Sequence, residues 1–417
     1  MITRTGPRNT KSRIAEKNSI KQLIYRTLSE YTGKELPWGD LTGIRPVKIP
    51  MKMLEQGESG DVILRKMQDE YFVSEKKASL ALEIAEREKT VLDTLDPENG
   101  YSLYIGIPFC PSICLYCSFG SHPLEKYAHL IDSYLDALST ELKYIVSAMK
   151  DRTLTSIYIG GGTPTSLSAE QIDRLLSNVE DIFPTDDVQE FTFEAGRPDT
   201  VTPEKFAVIK KHGIGRISIN PQTMKDETLK AIGRDHTAAD IEKAFALARE
   251  AGFDNINADI IVGLPGEGEK EIQYTLECLS ALRPESLTVH SLALKRATRL
   301  NLFKEDYLPV AFQNSDSIMD MVSEEARKNG LLPYYLYRQK NMAGNFENTG
   351  YARPGKYGIY NILIMEEKQT IMAAGSGAVT KVVYPGWRIE RAANVKDIHH
   401  YISGIETMIA RKEKLLT

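Results

Sequence analysis

Three of the four cysteines in this chain stand within eight positions, as Cys110, Cys114 and Cys117 in the run YIGIPFCPSICLYCSF. Pro108 and Pro111 keep a regular helix from crossing the first of them, so the triplet reads as a loop following an apolar strand. Thiols packed this densely are metal or redox ligands before they are a disulfide framework. Structural zinc asks for four closed ligands, and no nearby fourth cysteine or suitably spaced histidine completes such a set. A 4Fe-4S cluster held by three thiolates instead keeps one iron open to a small molecule. The spacing points to the cluster. Cys278, inside an amphipathic segment, reads as a core thiol.

Such a loop must be held by a rigid scaffold, and the rest of the sequence describes one. Short β-branched and aromatic runs alternate with longer amphipathic segments from about residue 101, the pattern of βα units around a parallel sheet. The expected strands are 102–107, 156–160, 190–195, 216–220, 257–263 and 286–294. Six units predict an α/β fold, a partial (β/α)6 TIM-like barrel over residues 99–300. Residues 1–98 are expected to be an N-terminal helical segment, and 301–417 a separate C-terminal mixed α+β unit that covers the barrel's open side. In barrels the chemistry sits where strands end. Those points carry the cysteine loop, the run GGGTPTSL, Glu194, Gln222, Asp259, and His290 with Ser291. Gly160, Gly161, Gly162 and Thr163 let the backbone approach a ligand closely. A tight turn is the plainer account of the glycines, and the absence of G-x-x-x-x-G-K-[ST] argues against a nucleotide P-loop. A lone histidine such as His290 is most often a hydrogen-bonded core residue.

With 417 residues, 42% of them apolar, the chain can bury a large core, and a net charge of -5 provides no field to gather nucleic acid. No apolar stretch approaches the length of a membrane span, and the N-terminus is polar where a signal peptide would be apolar, so a cytoplasmic location is expected. Arg4, Arg8, Lys11 and Arg13 read as a frayed, solvated start.

The cysteine run resembles the motif of radical S-adenosylmethionine enzymes, in the form carried by oxygen-independent coproporphyrinogen III oxidases and their relatives. The resemblance continues through YIGGGTPTSL, FEAGRPDT, RISINPQTMKDETLKAIGRDH and NADIIVGLPGE, covering about residues 100–295. LPWGDLTGIRP before it and YYLYRQKNMAGNFENTGYARPGK after it are similar to one subgroup, the HemZ-type coproporphyrinogen dehydrogenases. The resemblance implies a cluster on Cys110, Cys114 and Cys117 and contacts to S-adenosylmethionine from Tyr104, Tyr116, Gly161, Gly162, Thr163 and Glu194. Gln222, Arg234 and Asp259 match family positions associated with a second cofactor or substrate pocket. It further implies a tetrapyrrole substrate, coproporphyrinogen III, and an electron donor such as flavodoxin or ferredoxin. Four substrate carboxylates would call for cations, for which Arg296, Arg299, Arg338 and Lys340 are candidates. The best-known oxidases carry a further cysteine two residues after the third ligand, where this chain has Phe119. A related heme-chaperone group has phenylalanine there too, which leaves heme binding, or another radical reaction on a tetrapyrrole, as alternatives. Trp38 is expected to brace the junction between the helical segment and the rest.

Overall fold

In a computed structural model, which describes residues 12–118, 120–293, 314–340 and 342–416, each expected strand is present, with ends shifted by a few residues. The six are β1 (Gly100–Ile107), β2 (Thr153–Gly161), β3 (Glu190–Glu194), β4 (Arg216–Gln222), β5 (Ile256–Val262) and β6 (Ser286–Ser291). They lie side by side in chain order, all parallel. Parallel order requires a crossover after each strand. Helices Ile131–Ala148, Ala169–Ile182, Pro203–Lys211, Ala238–Glu250 and Glu269–Leu282 provide these crossovers. Their starts are written locally: Ser168 with Gln171 and Thr237 with Asp240 close capping boxes, and Thr202 caps a helix that opens on Pro203. Leu103, Ile105, Ile157, Ile159 and Phe193 pack with Leu138, Leu142, Leu175 and Leu176 of the helices in the main core. The strands also carry buried polar side chains, tied to one another: Ser156 Oγ to Ser102 Oγ at 2.8 Å, Asn257 Nδ2 to Ser218 Oγ at 3.0 Å, and Thr288 Oγ1 to Asn257 Oδ1 at 3.1 Å.

The C-terminal part does not stand apart from this sheet. Strands β7 (Leu332–Tyr337), β8 (Asn348–Ala352), β9 (Thr370–Ala374), β10 (Val379–Val383) and β11 (Ile389–Ala393) extend it at both edges, giving eleven strands in the order β11-β10-β9-β1-β2-β3-β4-β5-β6-β8-β7. An arc of six strands leaves two open rows of backbone donors and acceptors, and these strands satisfy them. Between β8 and β9, the helix Ile359–Glu366 enters the curve of the sheet: Ile359 N–H donates to the Glu190 carboxylate, and Tyr360 stacks on Tyr158. The last helix, Ile405–Leu416, is pinned to Ile131–Ala148 by a fully buried pair, Lys412 Nζ to Glu141 Oε1 at 2.5 Å.

The N-terminal helices Lys48–Glu55, Gly60–Tyr71 and Glu75–Leu92 build a second core around Trp38, Met51, Ile63, Met67 and Ile84, joined by Leu336 of β7, whereas helix Arg13–Thr32 leaves Ile20, Ile24 and Leu28 exposed. Trp38 does brace this junction: its indole N–H donates to Glu347 Oε2 at 2.7 Å, and Lys77 Nζ reaches Glu347 Oε1 at 2.5 Å. Arg338 is committed to the same place. Its guanidinium lies 5.8 Å from the Trp38 ring centroid and donates to Leu41 O and Asn345 Oδ1, each at 2.8 Å, and it is not part of the cavity wall described below. Lys340 is exposed and outside the lining of the cavity described below. Arg296, Arg299, Phe119, Arg4, Arg8 and Lys11 lie outside the described residues. Among the described residues, no helix is long and apolar enough to cross a membrane.

Candidate functional site

A cavity of about 630 Å³ begins at the carboxyl ends of β1 to β6 and runs along the concave face to β9 and β10. It gathers the residues expected at the cluster and cofactor, Tyr104, Cys110, Cys114, Tyr116, Cys117, Gly161, Gly162, Thr163, Glu194, Gln222, Arg234 and Asp259, together with His290, but not the substrate-carboxylate candidates Arg338 and Lys340.

The cysteine loop is clamped from three sides. Gly162 N–H donates to Ile107 O and Thr163 N–H to Phe109 O, each at 2.8 Å, while Leu115 N–H donates to Ile232 O at 3.0 Å. A Cβ on Gly162 would fall 2.6 Å from Phe109 O and 3.0 Å from Cys110 Sγ, so part of this glycine's role is close approach to the first cysteine itself. Gly161 has φ +114°, a region that side chains disfavour. Thr163 Oγ1 lies 3.5 Å from Cys110 Sγ, and burial pushes that thiol up to about 11. Arg197 closes the third side. Its Nη1 donates to Ser112 Oγ at 2.8 Å and stands 3.8 Å from Cys114 Sγ, while Nε and Nη2 grip Asp199 at 3.0 and 2.7 Å. Burial works against the guanidinium charge, but the Asp199 pair outweighs it and holds the pKa above its ordinary value.

Among the described residues no group of three or more Cys, His, Asp or Glu is arranged to hold one metal ion. A cubane takes one thiolate per iron, so its ligand sulfurs stand apart; three thiols on one cavity, with a guanidinium aimed at one sulfur and no side chain at Gly162 beside another, fit it. The cavity also carries unmatched polar atoms that a polar cofactor could satisfy. Gln222 Oε1 and Arg234 Nε are buried without hydrogen-bond partners among the described residues, and both side chains line the cavity. Such groups are costly unless a ligand satisfies them. Pro221 interrupts the β4–β5 ladder, the register slips between Ile219 and Gln222, and Gln222 is left at φ +70°. A bulge with a left-handed glutamine re-aims a side chain at a local cost of about 1–3 kcal/mol. The other Arg234 donors go to Tyr116 Oη at 3.0 Å and Gly196 O at 2.7 Å.

Further in, Tyr104 and Tyr158 are register partners in the two YIG tripeptides of β1 and β2. Tyr104, Tyr158 and Tyr360 form an aromatic wall, with Tyr158 and Tyr360 centroids 4.6 Å apart. Tyr158 Oη donates to Glu194 Oε1 at 2.6 Å; burial nevertheless raises Glu194 to about 7, with the Asp259 charge adding to the effect. Burial would raise Asp259 as well, but His290 and Asn257 outweigh it and hold the carboxyl low: His290 Nε2 is 3.5 Å away and Asn257 Nδ2 2.7 Å. His290 also meets Tyr337 Oη at 3.4 Å, which is the hydrogen-bonded role expected of it. Sequence reasoning missed Arg197, Arg216, Tyr158, Tyr360 and Lys381, all of which line the cavity. The repeated YIG was a usable signal for Tyr158, and Arg197 and Arg216 stand inside the runs FEAGRPDT and RISINPQTMKDETLKAIGRDH that carry the resemblance; Tyr360 and Lys381 come from segments with no motif of their own.

Comparison with known proteins agrees with this geometry. Residues 104–279 match the model of the radical SAM superfamily. The chain is 42% identical over 405 residues to the oxygen-independent coproporphyrinogen-III oxidase-like protein HemZ of Bacillus subtilis, covering 96% of this chain and 81% of the relative. It is 33% identical over 304 residues to the heme chaperone HemW of the same organism, covering 72% and 75%. Among solved structures, coproporphyrinogen III oxidase (HemN) from Escherichia coli, a radical SAM enzyme, superposes with a TM-score of 0.58 at 22% identity, covering 75% of this chain and 71% of that one.

Proposed function

The chain belongs to the radical SAM superfamily and, within it, to the oxygen-independent coproporphyrinogen-III oxidase-like proteins; on that premise we propose that it decarboxylates two propionates of coproporphyrinogen III to vinyl groups, yielding protoporphyrinogen IX without oxygen. The family's 4Fe-4S cluster and S-adenosylmethionine, when bound, supply a 5'-deoxyadenosyl radical able to take hydrogen from an unactivated carbon. Everything else falls to the chain. Cys110, Cys114 and Cys117 hold the cluster, and Arg197 donates toward the sulfur of Cys114. Gly161, Gly162 and Thr163 bring backbone to the cofactor, Gln222 and Arg234 offer it an unmatched acceptor and donor, and Glu194 lies within the same lining. Tyr104, Tyr158 and Tyr360 wall the deeper cavity with aromatic surface that excludes water and suits a flat macrocycle. Each propionate loses one β-hydrogen, carbon dioxide and one electron; the electron goes to an external acceptor, and a flavodoxin- or ferredoxin-type donor primes the cluster.

The observation that carries this reading is the meeting of three thiols, a glycine run and the unmatched Gln222 on one cavity, in a chain so similar to HemZ along nearly its whole length. The test is anaerobic: reconstituted protein, S-adenosylmethionine, a reductant and coproporphyrinogen III, with tricarboxylic and dicarboxylic products followed by mass. Cys114→Ala should abolish cluster absorbance and 5'-deoxyadenosine together. The similarity to a heme chaperone and the phenylalanine at position 119 favour a second reading, heme binding, which predicts tight heme uptake and no decarboxylated product.

A further inference from the structure

Behind Lys381, which lines the end of the cavity away from the cysteines, four cations converge on one carboxylate. Glu367 Oε2 receives Arg45 Nη1 at 2.6 Å and Lys48 Nζ at 2.7 Å, and Glu367 Oε1 receives Arg391 Nη2 at 2.8 Å and Lys381 Nζ at 3.1 Å. The residues come from far-apart parts of the chain: the N-terminal region, the cap of the inserted helix Ile359–Glu366, and strands β10 and β11. A helix carboxyl end favours cations, and Lys381 Nζ does reach Ile364 O at 3.2 Å. That effect accounts for one or two cations, not four. Lys368, next in sequence to Glu367, is a further cation here, paired with Glu55 and acting also on Glu366. Two more carboxyls face these cations, Glu366 and Glu88; burial holds both above the ordinary carboxylate range, and the Glu366 charge raises Glu88 further, so they offset the excess only in part.

Two further observations point to a ligand. Lys381, with only 9% of its side chain exposed, lines the cavity beside Ile364, Ile371 and Val379, at the end of an apolar wall; burial lowers its pKa to about 8, against the pull of Glu367. Arg45 Nε is buried with no hydrogen-bond partner among the described residues, although its other nitrogens are engaged. A buried donor without a partner, inside a cluster of surplus positive charge, is a place for an acceptor anion.

We infer that Lys381, backed by Arg45, Lys48 and Arg391 through Glu367, forms a subsite that binds a carboxylate substituent of the substrate and so sets which edge of the macrocycle faces the cysteine end. The inference rests on the tetrapyrrole reading above and assigns it a specificity-determining site that the expected Arg338 and Lys340 do not supply.

The test titrates reconstituted protein with coproporphyrin III, a stable tetracarboxylic acid, and separately with its uncharged tetramethyl ester, following the porphyrin absorbance. Lys381→Met and Arg45→Gln should each weaken tetra-acid binding about tenfold or more. Ester binding should not change, and Lys381→Arg should keep the tetra-acid affinity. Unchanged tetra-acid binding in both neutralising variants overturns the inference while leaving the tetrapyrrole reading intact. If the wild type binds neither porphyrin, the tetrapyrrole reading falls, and the subsite is then decided by glutarate at matched ionic strength. A rise in Tm present in the wild type and lost in Lys381→Met upholds an anion site; equal rises in both, or none in either, overturn it.

Discussion

Replacing Gly162 with alanine puts a methyl group where the structure has no space for one. The added carbon would lie 2.6 Å from Phe109 O, 2.9 Å from the carbonyl carbon of Pro108 and 3.0 Å from Cys110 Sγ. Ordinary contact begins near 3.4 Å, so the cysteine loop and the end of β2 must separate by several tenths of an ångström. Neither side can give freely. Phe109 O accepts from Thr163 N–H at 2.8 Å and from Ser166 Oγ at 3.3 Å, and Gly162 N–H is held by Ile107 O at 2.8 Å. Overpacking costs about 1–3 kcal/mol, and loosening a hydrogen bond adds about 1 kcal/mol, giving roughly 2–4 kcal/mol in all. Because the strain falls on the first cysteine, the variant should lose iron before it loses fold. Iron and sulfide per chain, measured after anaerobic reconstitution alongside Tm, are the readouts. Iron content should drop well below that of the wild type, with a fall in Tm of several degrees and unchanged far-ultraviolet circular dichroism. Full iron loading with an unaltered Tm would refute the argument that this glycine is required by the cysteine loop. Gly161→Ala, whose Cβ would stand 3.2 Å from Ile107 N and O, should cost less in contact and more in backbone strain.

Removing the donor beside Cys114 Sγ with Arg197→Gln should make the cluster harder to reduce, and an electron-paramagnetic-resonance redox titration matching the wild type would contradict this. Glu194 is raised by burial from 4.5 to about 7, so the folded state holds its proton more tightly than the unfolded one; the stability this gives is complete below pH 4.5 and is lost as pH rises through 7. Glu194→Gln should therefore remove up to about 3 kcal/mol of that decline, narrowing the difference between urea unfolding at pH 5 and at pH 8; an unchanged slope argues against a buried, protonated Glu194. Glu347→Gln leaves the Lys77 ammonium buried without its counter-charge and weakens the Trp38 bond, so Tm should fall in line with about 3–5 kcal/mol, whereas a loss under 1 kcal/mol would mean the junction is not held there.

Local patterns in the chain determined the cluster loop and the strand-helix rhythm. Apolar runs and amphipathic segments act over a few residues, and the six strands expected from them stand between residues 100 and 291; the capping boxes at Ser168 and Thr237 are equally local. Pro221 shows how far such local logic reaches: a missing N–H within a strand produces the bulge that turns Gln222 into the cavity. What tertiary structure alone decided is which distant segments complete the site. Tyr360 reaches the wall because a helix more than 150 residues from β3 finds the Glu190 carboxylate at its amino end, and Arg338 is drawn to Trp38 and away from the cavity wall. Edge satisfaction carries β9 and β10 onto the open side of β1, and that placement brings Lys381 within reach of Arg45. Contacts of this separation follow from backbone hydrogen bonding and burial across the whole sheet, for which no short run of sequence contains the signal.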